Sequence, residues 1–292
     1  LRGGREGAEG NRILVQNRYA TLASWVYELD KPVGRSFGDV EFYLERLNGV
    51  SGPVLEPAVG NGRLFVPLLE AGLDVKGFDA SDEMLAYCRA ACESRSLPAS
   101  LSRQTFEAFS YDERFEAILV PLGSIQLVTD YEAALGVLKR FHDHLAPGGR
   151  LILDLDAIDG FLDAPHSVRT WKAGDDLLTL TADRIDTDYL GQTTTTSLRY
   201  EHWRAGKLVD SEIDLFGLRW WGVAEFELAL RAAGFVEVTA CGDYQHGGRP
   251  HKGAGIITFE ARRPSSARSL PQPARTGRSA ACRLCGRASA RA

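Results

Sequence analysis

The 292-residue sequence lacks several features that define particular classes of protein. It contains no apolar run of 18 or more residues, so no transmembrane helix is predicted. No basic segment followed by an apolar segment opens the chain, so no signal peptide is expected. The sequence therefore predicts a cytoplasmic protein with no membrane partner.

Cysteine is also scarce, and its spacing forms no disulfide framework. The five cysteines are an odd number, and Cys88 and Cys92 lie four residues apart on a predicted helix. Cys282 and Cys285 form a CxxC pair without the second pair or the two histidines that a zinc site requires. We therefore expect reduced thiols and predict no metal site.

The net charge of −5 hides an asymmetry between the body of the chain and its end. Residues 262–292 contain eight arginines and no acid, which leaves 26 basic against 39 acidic residues in 1–261. An acidic body of net charge −13 is a poor electrostatic match for nucleic acid, so no such partner is expected. We predict that residues 1–16 and the basic tail 262–292 are disordered.

Between these ends the sequence alternates short apolar strands with amphipathic helices. Residues 53–156 repeat this alternation, which predicts a parallel sheet with helices on both faces. Residues 167–219 are rich in Thr, Val, Leu and aromatics between turns, which predicts an antiparallel insert. The α/β pattern then returns, so we predict one domain over 17–261. Two helices precede the first strand, one at 17–28 and one that Asp39 can cap and that runs through Leu47.

The most informative motif is the glycine loop after the first strand. It runs Glu56-Pro-Ala58-Val-Gly60-Asn-Gly62 and leads into a helix. Glycines there allow the backbone to approach a ligand and direct helix N–H groups at it. Asp79 ends the next strand, where a carboxylate can accept both hydroxyls of a ribose. A dinucleotide fingerprint would need glycine at position 65, which is Phe65.

These motifs resemble those of the class I S-adenosylmethionine-dependent methyltransferases over residues 54–156, with weaker similarity as far as 261. The family's first motif is an acid followed by three glycines at alternate positions, and this chain has Ala58 at the first of them. Leu145–Leu153 resembles the turn before the family's fifth strand, and Leu230–Phe235 the turn before its sixth. The resemblance implies a Rossmann-like fold with a mostly parallel seven-stranded sheet and an antiparallel lid at 167–219.

The resemblance also implies that S-adenosylmethionine is the cofactor. Asp79 matches the family's ribose-binding acid and Met84 its residue on the adenine face, while Thr105 stands where the family usually has Asp. The implied cofactor-binding residues are Glu56, Ala58, Gly60, Gly62, Asp79, Ala80, Met84, Thr105, Phe106, Pro121 and Leu122.

Methyl transfer mainly requires alignment of the acceptor with the methyl group, so the sequence predicts catalytic residues only weakly. We name Tyr27 and Asp156 as catalytic candidates; simple helix packing and a solvated acid are the alternatives. The candidate acceptor-binding residues are Tyr19, Ser124, Trp203 and His246. For the last two, roles in a sheet core or on the surface are the alternatives.

We therefore predict a methyltransferase that modifies an O or N atom of a small molecule. The insert resembles the lid of family members that act on sugars, amines and other metabolites, where it caps the acceptor and often supports a homodimer. Two other classes stay open at this point. One is an NAD-dependent oxidoreductase, and the other is a non-catalytic binding or partner protein that retains the fold.

Overall fold

The computed structural model describes residues 17–163 and 165–265. The predictions for residues 1–16, for most of the basic tail and for the Cys282–Cys285 pair lie outside these residues. The predicted start of the tail falls inside the sheet, because Arg262 pairs with Arg150 of a neighbouring strand. Within the described ranges, no helix is long and apolar enough to cross a membrane.

The described residues form two β-sheets. The strands in chain order are β1 Val54–Pro57, β2 Val75–Asp79, β3 Leu101–Arg103, β4 Phe115–Val120, β5 Leu145–Asp156, β6 His166–Ala173, β7 Asp176–Asp188, β8 Thr193–Arg204, β9 Lys207–Arg219, β10 Val236–Gly242 and β11 Ile256–Arg262. The first sheet has the order β10-β11-β5-β4-β1-β2-β3, and only β11 runs antiparallel to the other six strands. The predicted seven-stranded, mostly parallel sheet is confirmed.

Helices cover both faces of this sheet. They are α1 Thr21–Asp30, α2 Asp39–Arg46, α3 Phe65–Glu70, α4 Asp82–Glu93, α5 Tyr131–His144, α6 Ile158–Asp163 and α7 Val223–Ala232. The side chains of β4 divide between two apolar clusters, with Ile118 and Val120 in one and Ala117 and Leu119 in the other. A central parallel strand is therefore apolar on both sides, which explains its uninterrupted hydrophobic sequence.

The second sheet, β6-β7-β8-β9, is the predicted antiparallel lid. It packs against α1 through a third apolar cluster in which Leu22 and Val26 contact the lid residues Leu178 and Tyr200. The helix begins at Thr21 rather than at residue 17. Asn17 instead exchanges two hydrogen bonds with the backbone of Gly217 in β9, which holds the preceding segment against the lid.

Side-chain caps explain where several helices begin, with one exception to the prediction. Ser81 and Asp130 accept hydrogen bonds from backbone N–H groups in the first turns of α4 and α5. The predicted cap at Asp39 is wrong, because Gly38 occupies the N-cap position of α2 at φ +93°. Asp39 is buried and forms a two-pronged ion pair with Arg63 instead.

One glycine of the loop is required by close packing as well as by its backbone angle. Gly62 has φ +88°, and a Cβ atom there would lie 2.8 Å from Sγ of Cys88 on α4 and 3.5 Å from its Cα. Gly72, at the end of α3, has a similar φ of +83° but no atom within 4 Å of the corresponding Cβ position. A substitution at Gly72 therefore incurs backbone strain alone, whereas one at Gly62 incurs backbone strain and a steric contact as well.

We expect Gly62→Ala to destabilise the protein more than Gly72→Ala. Both changes incur the left-handed backbone cost of about 1–2 kcal/mol, and Gly62→Ala adds roughly 1–2 kcal/mol of overpacking against Cys88. Urea denaturation of the two variants measures the difference in the free energy of unfolding. Adding Cys88→Ala to Gly62→Ala should recover part of it. If Gly62→Ala and Gly72→Ala lowered the free energy of unfolding equally, the predicted steric contact with Cys88 would be contradicted.

Candidate functional site

A cleft lies at the carboxyl ends of β1, β2 and β4, where the strand order of the parallel sheet reverses. This is the position at which open α/β sheets bind ligands. The space in the cleft, counted together with its open mouth, is about 1000 Å³. Its lining includes Asn17, Tyr19, Tyr27, Ala58, Gly60, Phe78, Asp79, Ala80, Ser81, Met84, Gln104, Thr105, Phe106 and Ser124.

The glycine loop and Asp79 form one wall of the cleft. Ala58 and Gly60 both adopt positive φ, at +53° and +59°. This turn brings the Gly60 N–H to 2.9 Å from Oδ2 of Asp79, while the Ser81 N–H lies 2.9 Å from Oδ1. Burial raises the pKa of Asp79, and these N–H groups oppose the rise. Each carboxylate oxygen keeps a second lone pair with which to accept a hydroxyl.

Glu56, at the end of β1, is a buried carboxylate with an unpaired oxygen. It is 2% exposed, and within the described ranges its Oε2 has no hydrogen-bond partner. Burial raises its pKa to about 8, although the Arg63 guanidinium opposes the rise. Arg63 itself binds Asp39 and the Arg35 carbonyl. A buried acid without its own partner is suited to a cationic group of a ligand.

Tyr19 and Tyr27 separate the cleft from a second cavity. Their rings meet edge to face with centroids 5.9 Å apart, and both residues line both spaces. The second cavity, called the lid cavity below, lies between α1 and the lid. Its lining also includes Ala23, Val26, Asp30, Lys31, Ser167, Arg169, Leu180, Tyr200, Asp214 and Phe216. Burial raises the pKa of Tyr27 to about 12, so its hydroxyl is protonated at neutral pH.

A strained turn after β4 forms the opposite wall. Leu122 has φ +51°, and its N–H donates to Oδ2 of Asp154 at 3.0 Å. Asp154 is fully buried and also accepts hydrogen bonds from Thr258 and Tyr244, at 2.7 and 3.0 Å. Burial raises its pKa to about 6 against these donors. Asp154 thus holds the turn in place rather than facing a ligand.

Asp156 lies two residues further along β5, beside the same turn. Gln126 accepts a hydrogen bond from its N–H at 2.7 Å. A Cβ placed on Gly123 would be 3.2 Å from its carboxylate. Burial raises the pKa of Asp156, and the nearby Lys31 ammonium opposes the rise.

The structure brings most of the predicted site residues together in the cleft, but seven of them line neither the cleft nor the lid cavity: Glu56, Gly62, Pro121, Leu122, Asp156, Trp203 and His246. His246 is exposed and pairs with Glu260 at 3.1 Å, outside the cleft and the lid cavity. Trp203 follows His202, which contacts Trp25 of α1, and alternation along β8 turns Trp203 to the other face of the lid. Neither residue lines the cleft or the lid cavity. Pro121 and Leu122 belong to the turn after β4 and do not line the cleft either.

Several residues of the site carry no local sequence signal. Phe78 and Gln104 line the cleft, and Lys31 and Arg169 line the lid cavity. They come from separate elements, and only the fold brings them together. Gln104 was adjacent to the predicted Thr105, which is the one signal that could have identified it.

Comparison with known proteins identifies a methyltransferase domain. A family model described as "Methyltransferase domain" matches residues 54–149. The chain is 28% identical over 240 residues to the glycine/sarcosine N-methyltransferase of Aphanothece halophytica, covering 79% of this chain and 84% of that relative. It is 27% identical over 104 residues to the putative methyltransferase YqeM of Bacillus subtilis (strain 168), covering 36% of this chain and 42% of that relative.

Solved structures share the fold over most of the chain. A S-adenosylmethionine-dependent methyltransferase from Clostridium acetobutylicum ATCC 824 superposes with a TM-score of 0.69 at 17% identity, covering 82% of this chain and 97% of that one. The sugar N-methyltransferase KedS8 from Streptoalloteichus sp ATCC 53650 gives 0.67 at 18% identity, covering 90% and 99%. At these identities the structures establish the architecture, including the antiparallel lid.

The raised pKa of Glu56 makes a prediction about stability in the absence of ligand. The folded state keeps the Glu56 proton up to about pH 8, whereas the unfolded state releases it near the ordinary value of 4.5. Between these values the unfolded chain binds fewer protons, so this group makes the protein less stable as the pH rises. Glu56→Gln removes the effect, and its melting temperature relative to wild type should rise by several degrees between pH 5.5 and 8.5.

The matched control is Glu93→Gln, at an exposed position on α4. Its melting temperature relative to wild type should not change with pH. Scanning calorimetry of the ligand-free protein provides the measurement. A difference for Glu56→Gln that stays constant from pH 5.5 to 8.5 would show that Glu56 is ionised throughout.

Proposed function

We propose that this chain, which belongs to the class I S-adenosylmethionine-dependent methyltransferases, transfers a methyl group to a nitrogen atom of a small molecule. The observation that carries the proposal is the pair of cavities that meet at Tyr19 and Tyr27. One is suited to the cofactor and the other, beneath the lid, to an acceptor. Nitrogen is favoured over oxygen because the chain is similar to two N-methyltransferases.

The residues of the cleft fit S-adenosylmethionine, the cofactor of this family. Asp79 would hold the ribose hydroxyls with its remaining lone pairs. Glu56 would pair its free oxygen with the ammonium of the methionine moiety. Met84 and Phe106 supply apolar surface for the adenine, beside Thr105. When bound, the cofactor would supply a methyl group on a sulfonium, so that an N–C bond to the acceptor forms as the C–S bond breaks and S-adenosylhomocysteine leaves as a neutral thioether.

The chain's own residues then orient the acceptor and manage its proton. A nitrogen nucleophile must be neutral, so an ammonium has to lose a proton before it reacts. Tyr27 cannot accept that proton because its hydroxyl is already protonated, so we assign it to positioning the acceptor. Asp156 is the better proton acceptor, since burial makes it more basic than an exposed carboxylate. Tyr19 and Ser124 complete the acceptor side of the cleft.

The lid supports a small acceptor over a polymer. Helix α1 lines the lid cavity on one side and the lid sheet lines it on the other, so an acceptor there would lie between two layers of the protein. Trp203 and His246 are not part of the proposed acceptor site, because neither residue lines the cleft or the lid cavity. No observation favours the NAD-dependent alternative, and Phe65 stays at the position where its fingerprint requires glycine.

Calorimetric titration tests the assignment of the cofactor. We expect both S-adenosylmethionine and S-adenosylhomocysteine to bind, and NAD not to bind. Asp79→Ala should weaken both adenosyl ligands about 100-fold, because two hydrogen bonds to a charged group contribute roughly 3 kcal/mol. Asp82→Ala is the control, since Asp82 is exposed and pairs only with exposed Arg103. Binding of NAD alone would refute the proposal.

A second titration tests the role of Glu56. At pH 7 the free carboxyl holds a proton, because its pKa is about 8. An ammonium placed beside it lowers that pKa, so binding of S-adenosylhomocysteine should release close to one proton per site. Titration in two buffers of different ionisation enthalpy measures the release. Glu56→Gln should abolish it, and a release that persists in this variant would assign the proton to another group.

A further inference from the structure

Among the residues that the structure describes, Lys31 is the one cation lining the lid cavity that no carboxylate or carbonyl contacts, and we propose that the acceptor carries a carboxylate which Lys31 binds. The acceptor would thus be an amino acid or a similar amino-carboxylate rather than an uncharged amine or an amino sugar. This inference rests on the proposed function and specifies its substrate class.

The other charged groups of the lid cavity already have partners. Asp30 accepts hydrogen bonds from Arg169 and Trp171, at 3.0 and 3.3 Å. Asp214 accepts the N–H of Arg18 at 3.0 Å. These contacts satisfy the two carboxylates and the guanidinium that line the cavity, so none of the three requires a charge from a ligand.

Lys31 differs from these groups. Its backbone N–H caps α1 by donating to the Tyr27 carbonyl at 2.8 Å, which turns the residue back along the helix. Its ammonium lies 5.1 Å from the centroid of the Tyr27 ring. Within residues 17–163 and 165–265, no carboxylate or carbonyl lies within hydrogen-bonding distance of it. Burial lowers the pKa of Lys31, as expected for a cation that lacks a direct partner.

The charged groups around Lys31 do not neutralise it, because most of them are paired with one another. Asp30 and Arg169 neutralise each other, and Arg63 is held by Asp39. Asp156 attracts Lys31 from the end of β5 but forms no direct bond with it, and no other described residue binds its carboxylate. A ligand with both charges can satisfy both groups, with its carboxylate on Lys31 and its amine towards Asp156.

This arrangement also orients the acceptor. Lys31 lines the lid cavity beside Tyr27. Asp156 packs against the turn at Gly123, next to Ser124 of the cleft wall, and lines a separate pocket with Trp221 and Lys252. A carboxylate held by Lys31 would therefore leave the amine at the aromatic wall between the two cavities. An amino sugar has no anion for Lys31, so it would displace water from a half-buried cation without replacing it.

The experiment compares amino acids with their amides, which lack the carboxylate charge, and with an amino sugar. Steady-state kinetics with S-adenosylmethionine would use glycine, alanine and phenylalanine, their amides, and a methyl glycoside of a 4-amino sugar. The variants are Lys31→Met, Lys31→Arg and the control Lys207→Met. Lys207 is exposed at the start of β9, so the control removes the same charge from the lid alone. Calorimetry with S-adenosylhomocysteine checks the cofactor site of each variant.

We expect wild type to prefer at least one amino acid over its amide by 10-fold or more in kcat/KM. Lys31→Met should raise KM for that acid at least 10-fold with little change in kcat, Lys31→Arg should restore much of the loss, and Lys207→Met should have no effect. Turnover of amides or the amino sugar in preference to every acid would overturn this inference and leave the proposed function standing. An equal loss for acids and amides in Lys31→Met would also overturn it. Turnover of no amine, with S-adenosylhomocysteine bound, would refute the proposed function itself.

Discussion

The structure depends on how four carboxylates are accommodated at one edge of the parallel sheet. Glu56, Asp79, Asp154 and Asp156 end strands β1, β2 and β5, and burial raises the pKa of each. A buried charge is tolerated only when hydrogen bonds or an opposite charge compensate it. The four groups differ in that compensation. Asp79 has backbone donors and Asp154 has three donors, whereas Glu56 and Asp156 lack such partners.

This difference separates positioning from ligand binding. Asp154 is satisfied within the protein, and it fixes Leu122 in a left-handed conformation that an L-residue adopts only at a cost. The oxygen of Glu56 that has no hydrogen-bond partner among the described residues instead costs free energy, and a cationic ligand can remove that cost. The cations that line the lid cavity differ in the same way. Arg169 forms an ion pair with Asp30, whereas Lys31 has no ion-pair partner among the described residues. In both cavities, the group without a partner is the one to which we assign a ligand.

The sequence was sufficient to predict the sheet, the lid and the glycine loop, because these follow from local periodicity and from residues close together in the chain. It failed where a partner lies far along the chain. Asp39 is a residue type that often caps helices, yet its side chain binds Arg63, which lies 24 residues further along the chain. Helix α1 begins later than its apolar pattern indicates because β9 holds the preceding segment. Trp203 and His246 do not line the cleft or the lid cavity, because Trp203 lies on the other face of the lid from His202 and His246 pairs with Glu260, 14 residues further along the chain.

Helix α1 connects the lid to the chemistry at the sheet edge. Its N-cap residue, Ala20, has no side chain that could accept a hydrogen bond, and the lid supplies the acceptors instead. Glu212 accepts the Leu22 N–H and Asp214 accepts the Arg18 N–H, each at 3.0 Å. Between these two anchors Tyr19 is held at φ +45°, with its ring against Tyr27. The wall between the two cavities is therefore built by the lid as much as by α1, so a lid that shifted would move both tyrosines. Under the proposed function, the contacts that would enclose the acceptor are therefore also those that would align it with the cofactor.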